Sequence, residues 1–434
     1  MDYDRAERWL FSLINYEKTP KRGPKSLLDF LNLLSLFDHP EEKLNSPIIV
    51  RGTKGKGSTS MMLAQILSNN GYRTGLFTSP HLISVRERIQ IGSEYIKKTE
   101  FANLIEEIST HIEKKRGIRT YFEVLTLLAI KYFKNLSAPY SVFEAGLGGR
   151  LDTTRLINAK IHVLTEIGYD HTNILGNSLM DITFEKVSGV DNGELITLRQ
   201  HPKVSYVLNE MAKMRHIKLT IENKDFAITN VEYYKEGTIV NIDTLKAGKL
   251  QITIPLVGRF LVKSAALACM SSLSLGITDC NLSHLELPAR FEKVYEDPLI
   301  IIDGSHNPMS LSNLLRELKF YYGNYKGEKT LVFAIMKDKR IKESLYILKD
   351  FFDRFIFTEA NTPRSEKRGN IQALFSSISS KPSEVMSQEE FLEQLSKRDG
   401  LFMITGSFFL AGDIIKYLAK KGIYSGKKLY SVIE

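Results

Sequence analysis

One short stretch constrains the fold more than any other. Pro47-Ile48-Ile49-Val50 is an apolar run of strand length, and it leads almost directly into Gly52-Thr53-Lys54-Gly55-Lys56-Gly57-Ser58. Beyond that turn, Met62, Leu63, Ile66 and Leu67 recur at helical spacing and stop at Gly71, so the spacing predicts a helix over 58–70. Strand, glycine-rich turn, helix is the unit from which parallel sheets are built, since parallel neighbours need a crossover. The unit repeats. Strands are expected at 73–78, 140–145, 161–166 and 194–198, with helices between them. Two helices are expected ahead of the first strand, at 5–15 and 27–36. A loop at 19–24 separates them, because Pro20, Gly23 and Pro24 break regular structure.

The pattern then changes. Leu250, Ile252 and Ile254 alternate with Gln251 and Thr253, so 217–256 reads as a small antiparallel section. A helix at 261–275 closes it. Residues 288–298, with proline at both ends, read as an interdomain linker. Strands at 299–303, 330–335, 354–358 and 401–405, with helices at 309–321, 341–352 and 408–419, describe a second, smaller open α/β domain. The length of 434 residues allows two or three domains. The map selects two, 1–290 and 296–434.

Composition narrows the class. With 43% hydrophobic and 25% charged residues, the chain is neither collagen-like nor disordered. Cys269 and Cys280 are too few for a stapled secreted domain, which points to a reducing, cytoplasmic compartment. The start, Met1-Asp2-Tyr3-Asp4-Arg5, lacks the basic-then-apolar pattern of a leader, and no apolar run is long enough for a membrane helix. The net charge of +9 suits anionic ligands. No RNA-binding, zinc or basic-helix motif accompanies it, so nucleic acid is not an expected partner.

Chemistry is expected at the carboxyl ends of the strands, where open α/β sheets bind ligands. In the first turn, Gly52, Thr53, Gly55, Gly57 and Ser58 would bring backbone N–H groups around phosphates, with Lys56 as a mobile cation. Glu144, followed by Gly146-Leu147-Gly148-Gly149-Arg150-Leu151-Asp152, could hold Mg²⁺ beside those phosphates, and Arg150 could pair with an anion. His171 and the run Thr78-Ser79-Pro80-His81 end two further strands. In the second domain, Asn307 and Pro308 read as a helix cap. Asp303 and His306 are left over as candidates for ribose and phosphate.

Six motifs in order carry a resemblance over residues 20–415. They are Gly52–Ser58, Thr78–Leu82, Glu144–Asp152, Asp170-His171, Glu185-Lys186 and Asp303–Pro308. The chain resembles the folylpolyglutamate synthases, many of which are also dihydrofolate synthases, within the Mur ligases. The resemblance implies an ATP- and Mg²⁺-dependent ligase. It would add L-glutamate to a folate, with dihydropteroate as a further acceptor, through an acyl phosphate. It implies Mg²⁺ bound by Ser79, Glu144 and His171, and a catalytic set of Lys56, His171 and Lys186, the last as a carbamate. It implies ATP contacts from Ser264, Arg290, Asp303 and His306. Folate contacts are implied for Ser79, Pro80, His81, Thr120, Phe122, Arg150 and Asp152, and a monomer is expected. Gly406-Ser407 matches a small-residue turn without an assigned role.

The sequence also departs from the family pattern. Lys54 replaces an asparagine. Phe260 and Leu261 replace His-Gln, and Ser264 replaces the asparagine that meets adenine. Arg22–Lys25, Gly168-Tyr169 and Val187-Ser188 depart as well. The rival readings are a Mur-type ligase with another carboxylate substrate, and a nucleotide-binding protein without turnover.

Overall fold

A computed structural model describes residues 1–15, 27–395, 398–424 and 426–433. The expected loop at 19–24 and the departure at 22–25 lie outside them. The chain divides into two compact units. The first comprises Met1–His81, Val85–Leu256 and Phe260–Leu285; the second comprises Leu82–Ser84, Val257–Arg259 and the residues from Glu286 onward.

The first unit is built on an eight-stranded sheet. Its strands are β1 (Ser46–Arg51), β2 (Thr74–Phe77), β3 (Ile89–Ile91), β4 (Glu94–Tyr95), β5 (Tyr140–Glu144), β6 (Ile161–Leu164), β7 (Glu194–Thr197) and β8 (Lys218–Ile221). The order is β4-β3-β2-β5-β1-β6-β7-β8, which places β1 in the interior. The strands from β2 to β8 in that order are parallel, and β3 and β4 add an antiparallel edge.

Both faces of β1 are covered, which is why it reads as an unbroken apolar run. Ile49, Phe77 and Phe143 face a core filled by Leu10, Phe30, Phe101, Leu125 and Phe133 from the helices Tyr3–Phe11, Leu27–Ser35, Lys98–Ile112 and Tyr121–Asn135. Their neighbours Ile48, Val50, Leu76 and Val142 point the other way. There the helix Lys56–Asn69 covers the sheet and packs on the helix Leu261–Ser274, whose small buried residues Ala265, Ala266 and Ala268 allow close approach.

The antiparallel section is shorter than expected. β9 (Phe226–Tyr233), β10 (Thr238–Thr244) and β11 (Gly248–Ile254) form a three-stranded antiparallel sheet. Residues 218–221 instead pair in parallel with β7. A half-covered edge strand alternates with period two whichever way it pairs, so periodicity could not separate the cases.

The second unit has six strands: β12 (Glu292–Glu296), β13 (Leu299–Ile302), β14 (Lys329–Phe333), β15 (Arg354–Phe357), β16 (Ser383–Val385) and β17 (Leu401–Thr405). Their order is β12-β13-β17-β14-β15-β16, all parallel except β12. Ile301, Leu331, Phe333, Phe355, Phe357 and Met403 fill the core. The expected linker at 288–298 is therefore corrected. Residues 292–296 are an edge strand of this unit, and the division falls after Leu285. Glu-Lys-Val-Tyr-Glu reads as linker because an edge strand exposes most of its side chains.

Cys269 and Cys280 are joined in a disulfide. The pairing removes the cysteine count as support for a reducing compartment. No helix among the described residues is long and apolar enough to cross a membrane.

Candidate active site

The turn after β1 is laced to the end of β6. The Thr53 and Lys54 amides both donate to the Glu166 carbonyl, at 3.0 and 3.4 Å. The Thr53 hydroxyl accepts from the Gly168 amide at 3.1 Å. Gly52 has φ +138°, and a Cβ there would stand 1.9 Å from Thr165 Oγ1, so conformation and space both require glycine. Gly55 caps the helix Lys56–Asn69 without a side-chain acceptor. Lys56, Gly57 and Ser58 make up its first turn, where N–H groups have no intrahelical partner. A helix N-terminus with lysines at 54 and 56 is an anion-binding arrangement.

The Ser264 hydroxyl lies directly behind Gly55, 3.2 Å from where a Cβ would be, and Ser264 is buried. Its neighbour Lys263 pairs with Glu166 at 3.0 Å.

At the end of β5, the buried Glu144 carboxylate accepts the Ser79 amide at 2.9 Å, which joins two of the expected metal-site residues. The loop beyond is organised by Asp152. One carboxylate oxygen takes the amides of Gly146 and Leu147 at 3.0 and 3.1 Å. The other takes the Thr154 amide and hydroxyl at 3.0 and 2.6 Å. Asp152 was expected to touch substrate, and the structure commits both its oxygens to the loop. Arg150 is likewise engaged, with its Nε 2.7 Å from Glu185 and its amide 2.8 Å from the Glu185 carbonyl.

Glu185 and Lys186 end the helix Leu179–Val187. Gly149 lies so close that a Cβ would meet the Lys186 carbonyl at 2.1 Å. Lys186 is 4% exposed, and its Nζ donates to the Gly52 carbonyl at 2.8 Å. Burial, reinforced by the nearby Lys56 charge and opposed by Asp170 and Asp152, brings this amine down to about 7.

His171 caps the short helix Thr172–Leu175 from the left-handed region, 3.8 Å from Asp170, with its side chain 54% exposed. Among the described residues, the one group of three His, Cys, Asp or Glu side chains with ligand atoms within 4.8 Å is His39, Glu41 and Glu42, in the turn before β1. His171 and Asp170 therefore do not close on Glu144 as a tight carboxylate–histidine cluster.

Thr120 caps the helix Tyr121–Asn135 in a reciprocal box with Glu123. The Phe122 ring packs on Gly146, where a Cβ would meet it at 2.7 Å. His81 accepts from Nε of the fully buried Arg88 at 2.8 Å. Pro80 lies between Ser79 and His81 in the same turn.

In the second unit, the Asp303 carboxylate takes the Phe291 and Ser305 amides, each at 2.8 Å. It thereby fixes the turns that carry Arg290 and His306. The Arg290 guanidinium stands 4.5 Å from the Phe408 ring centre, and His306 packs against the same ring. Asn307 caps the helix Pro308–Tyr322 as expected.

Sequence reasoning missed Arg51, Arg88, Thr165 and Asp170 as site components. Asp170 lay inside a quoted motif. Arg51 adjoins the glycine turn and was available on that ground. Arg88 and Thr165 carry no local signal.

Two family models match the chain: the Mur ligase middle domain over residues 50–272, and the Mur ligase glutamate ligase domain over residues 289–408. The dihydrofolate synthase/folylpolyglutamate synthase of Bacillus subtilis is 28% identical and covers 96% of this chain and 99% of its own length. That of Buchnera aphidicola subsp. Baizongia pistaciae is 31% identical over 86% of each chain. Among solved structures, the Mycobacterium tuberculosis folylpolyglutamate synthase complexed with ADP superimposes with a TM-score of 0.83 at 25% identity, covering 95% of this chain and 97% of its own. The Thermotoga maritima folylpolyglutamate synthase gives 0.84 at 26% identity, covering 97% of each. The sheet, the phosphate-type turn and these likenesses agree: the chain belongs to the Mur ligase family, in the branch of the folylpolyglutamate and dihydrofolate synthases.

Proposed function

We propose that this chain joins L-glutamate to a folate at the expense of ATP, with dihydropteroate as a second acceptor. The observation that carries the reading is the pairing of an anion-binding helix N-terminus with the buried, partly neutral Lys186 amine at the root of its loop. Phosphoryl transfer is mainly a matter of positioning and charge neutralisation. The acceptor carboxylate would take the γ-phosphoryl group from ATP. The glutamate amine would then attack the acyl carbon, and inorganic phosphate would leave.

Gly52–Ser58 and Lys56 are assigned to the phosphates, and Arg290, Asp303 and His306 to the nucleotide. Asp303 acts by holding the other two in place. The fit to Mg²⁺ rests on the buried Glu144 carboxylate, a hard oxygen donor with Ser79 beside it, and His171 completes the proposed set. Bound there, Mg²⁺ would neutralise phosphate charge. Lys186 fits the carbamate role because its amine is partly unprotonated near pH 7, the form that adds CO₂. Thr120, Phe122, Ser79, Pro80 and His81 are assigned to the folate side. We further propose a cytoplasmic monomer.

One observation favours a second reading. Arg150 and Asp152 are already engaged by Glu185 and by their own loop, which leaves room for a different acceptor carboxylate. The test is ADP release that requires both glutamate and a reduced folate, and that Lys56→Ala abolishes. ADP release stimulated by another carboxylate but not by folates would favour the second reading.

A further inference from the structure

Arg51 is the last residue of β1, directly before the glycine turn, and it is 1% exposed. Among the described residues no carboxylate touches its guanidinium. Nη1 meets His162 Nδ1 at 2.9 Å, Nη2 donates to the Gly189 carbonyl at 3.0 Å, and Nε finds no acceptor among the described residues. A fully buried arginine held by a histidine and a carbonyl is costly, and burial brings its own affinity for protons down to about 10. His162, on β6, is buried as well. Burial and the adjacent guanidinium push it down to about 3, so it stays neutral and serves as a hydrogen-bond acceptor.

The carbonyl that Arg51 holds belongs to the turn that ends the Lys186 helix. Residues 186–190 are all buried. Arg215 takes the carbonyls on either side, Ser188 at 3.0 Å and Val190 at 2.6 Å. Two guanidinium groups thus cover three successive carbonyls at the negative end of that helix, where cations are favourable. Two side-chain ties now run in opposite directions across the same gap. Arg51 reaches from the root of the phosphate turn to Gly189, and Lys186 reaches from the helix to the Gly52 carbonyl. Gly189 also lies against Gly149, so the same turn abuts the loop after Glu144.

We propose that Arg51, oriented by His162, is a positioning residue that fixes Lys186 against the phosphate turn. The inference rests on the functional reading above for its consequence in turnover, but the tether itself is tested without it. The decisive variant is R51M/H162L. It replaces the buried polar pair by apolar groups of similar size, which a core accepts, while removing the tie to Gly189. Two readouts are taken on the folded protein. The first is the pH dependence of Lys186 modification by an amine-reactive reagent, followed by peptide mass spectrometry. Its midpoint rises from about 7 as the amine gains water. The second is turnover: kcat falls about 10- to 100-fold, the scale of an ångström-size misplacement, while KM for the folate stays within about twofold.

R51K, which keeps the charge but loses the fork, gives the same two readouts in a variant with an unchanged charge balance. H162Q, which keeps an acceptor, retains most of the turnover. An unchanged modification midpoint in R51M/H162L and R51K overturns the proposal, and so does wild-type kcat in both. A wild-type protein with no folate-dependent ADP release overturns the functional reading instead, and the modification readout then decides the tether alone.

Discussion

Lys186→Met should make the protein more stable at neutral pH while removing its activity. Lys186 is 4% exposed and its amine lies near 7, against an ordinary 10.5. At about 1.4 kcal/mol per tenfold in proton affinity, that gap is worth about 5 kcal/mol of penalty for holding the charged amine in the fold. Methionine keeps the stem and drops the charge. It also loses the hydrogen bond to the Gly52 carbonyl, about 1 kcal/mol.

The sign follows from proton binding. The unfolded chain holds this proton up to about 10.5 and the folded chain only to about 7. Between those values unfolding takes up a proton, and wild-type stability from this group rises with pH. Below pH 7 the full penalty is present; above 10.5 it has vanished. The variant should therefore exceed wild type by about 4 kcal/mol at pH 6 and fall about 1 kcal/mol below it at pH 10.5. Urea denaturation of both proteins at pH 6, 8 and 10, followed by far-UV circular dichroism, reads the difference. A difference independent of pH, or a less stable variant at pH 6, would refute the assignment of a desolvated amine.

Gly52→Ala places a Cβ 1.9 Å from Thr165 Oγ1 at φ +138°, so we expect a loss of about 3 kcal/mol or more and no measurable nucleotide binding by calorimetry. Asp152→Ala strips four hydrogen bonds from the loop after Glu144 and should cost about 2–4 kcal/mol in denaturation, with turnover falling in step. His171→Ala removes a half-exposed ring, so stability should move by less than about 0.5 kcal/mol while Mg²⁺-dependent ADP release is lost. Retained ADP release in that variant would remove His171 from the metal site.

The legible part of this protein is what local chemistry dictates. β1, its glycine turn and the following helix could be read because a doubly covered strand is continuously apolar and a phosphate-type turn needs glycine. The Asn307 cap and Pro308 could be read because a helix start is specified within four residues. β8 and β12 could not, because their side chains are largely half exposed and period-two alternation does not reveal a partner, and the edge β3–β4 could not, because strands of three and two residues are too short to carry a period.

The roles at the site divide in the same way. The sequence by itself set the residue types at the strand ends, and with them the phosphate-binding role proposed for the first unit. Only the tertiary structure decided that Asp152 spends its carboxylate on its own loop and that Arg150 is paired with Glu185. It also decided that Lys186 loses its proton near neutral pH and that Arg51 reaches Gly189 across 138 positions of chain. Burial and the far partner of a hydrogen bond are properties of packing, and no local pattern encodes them.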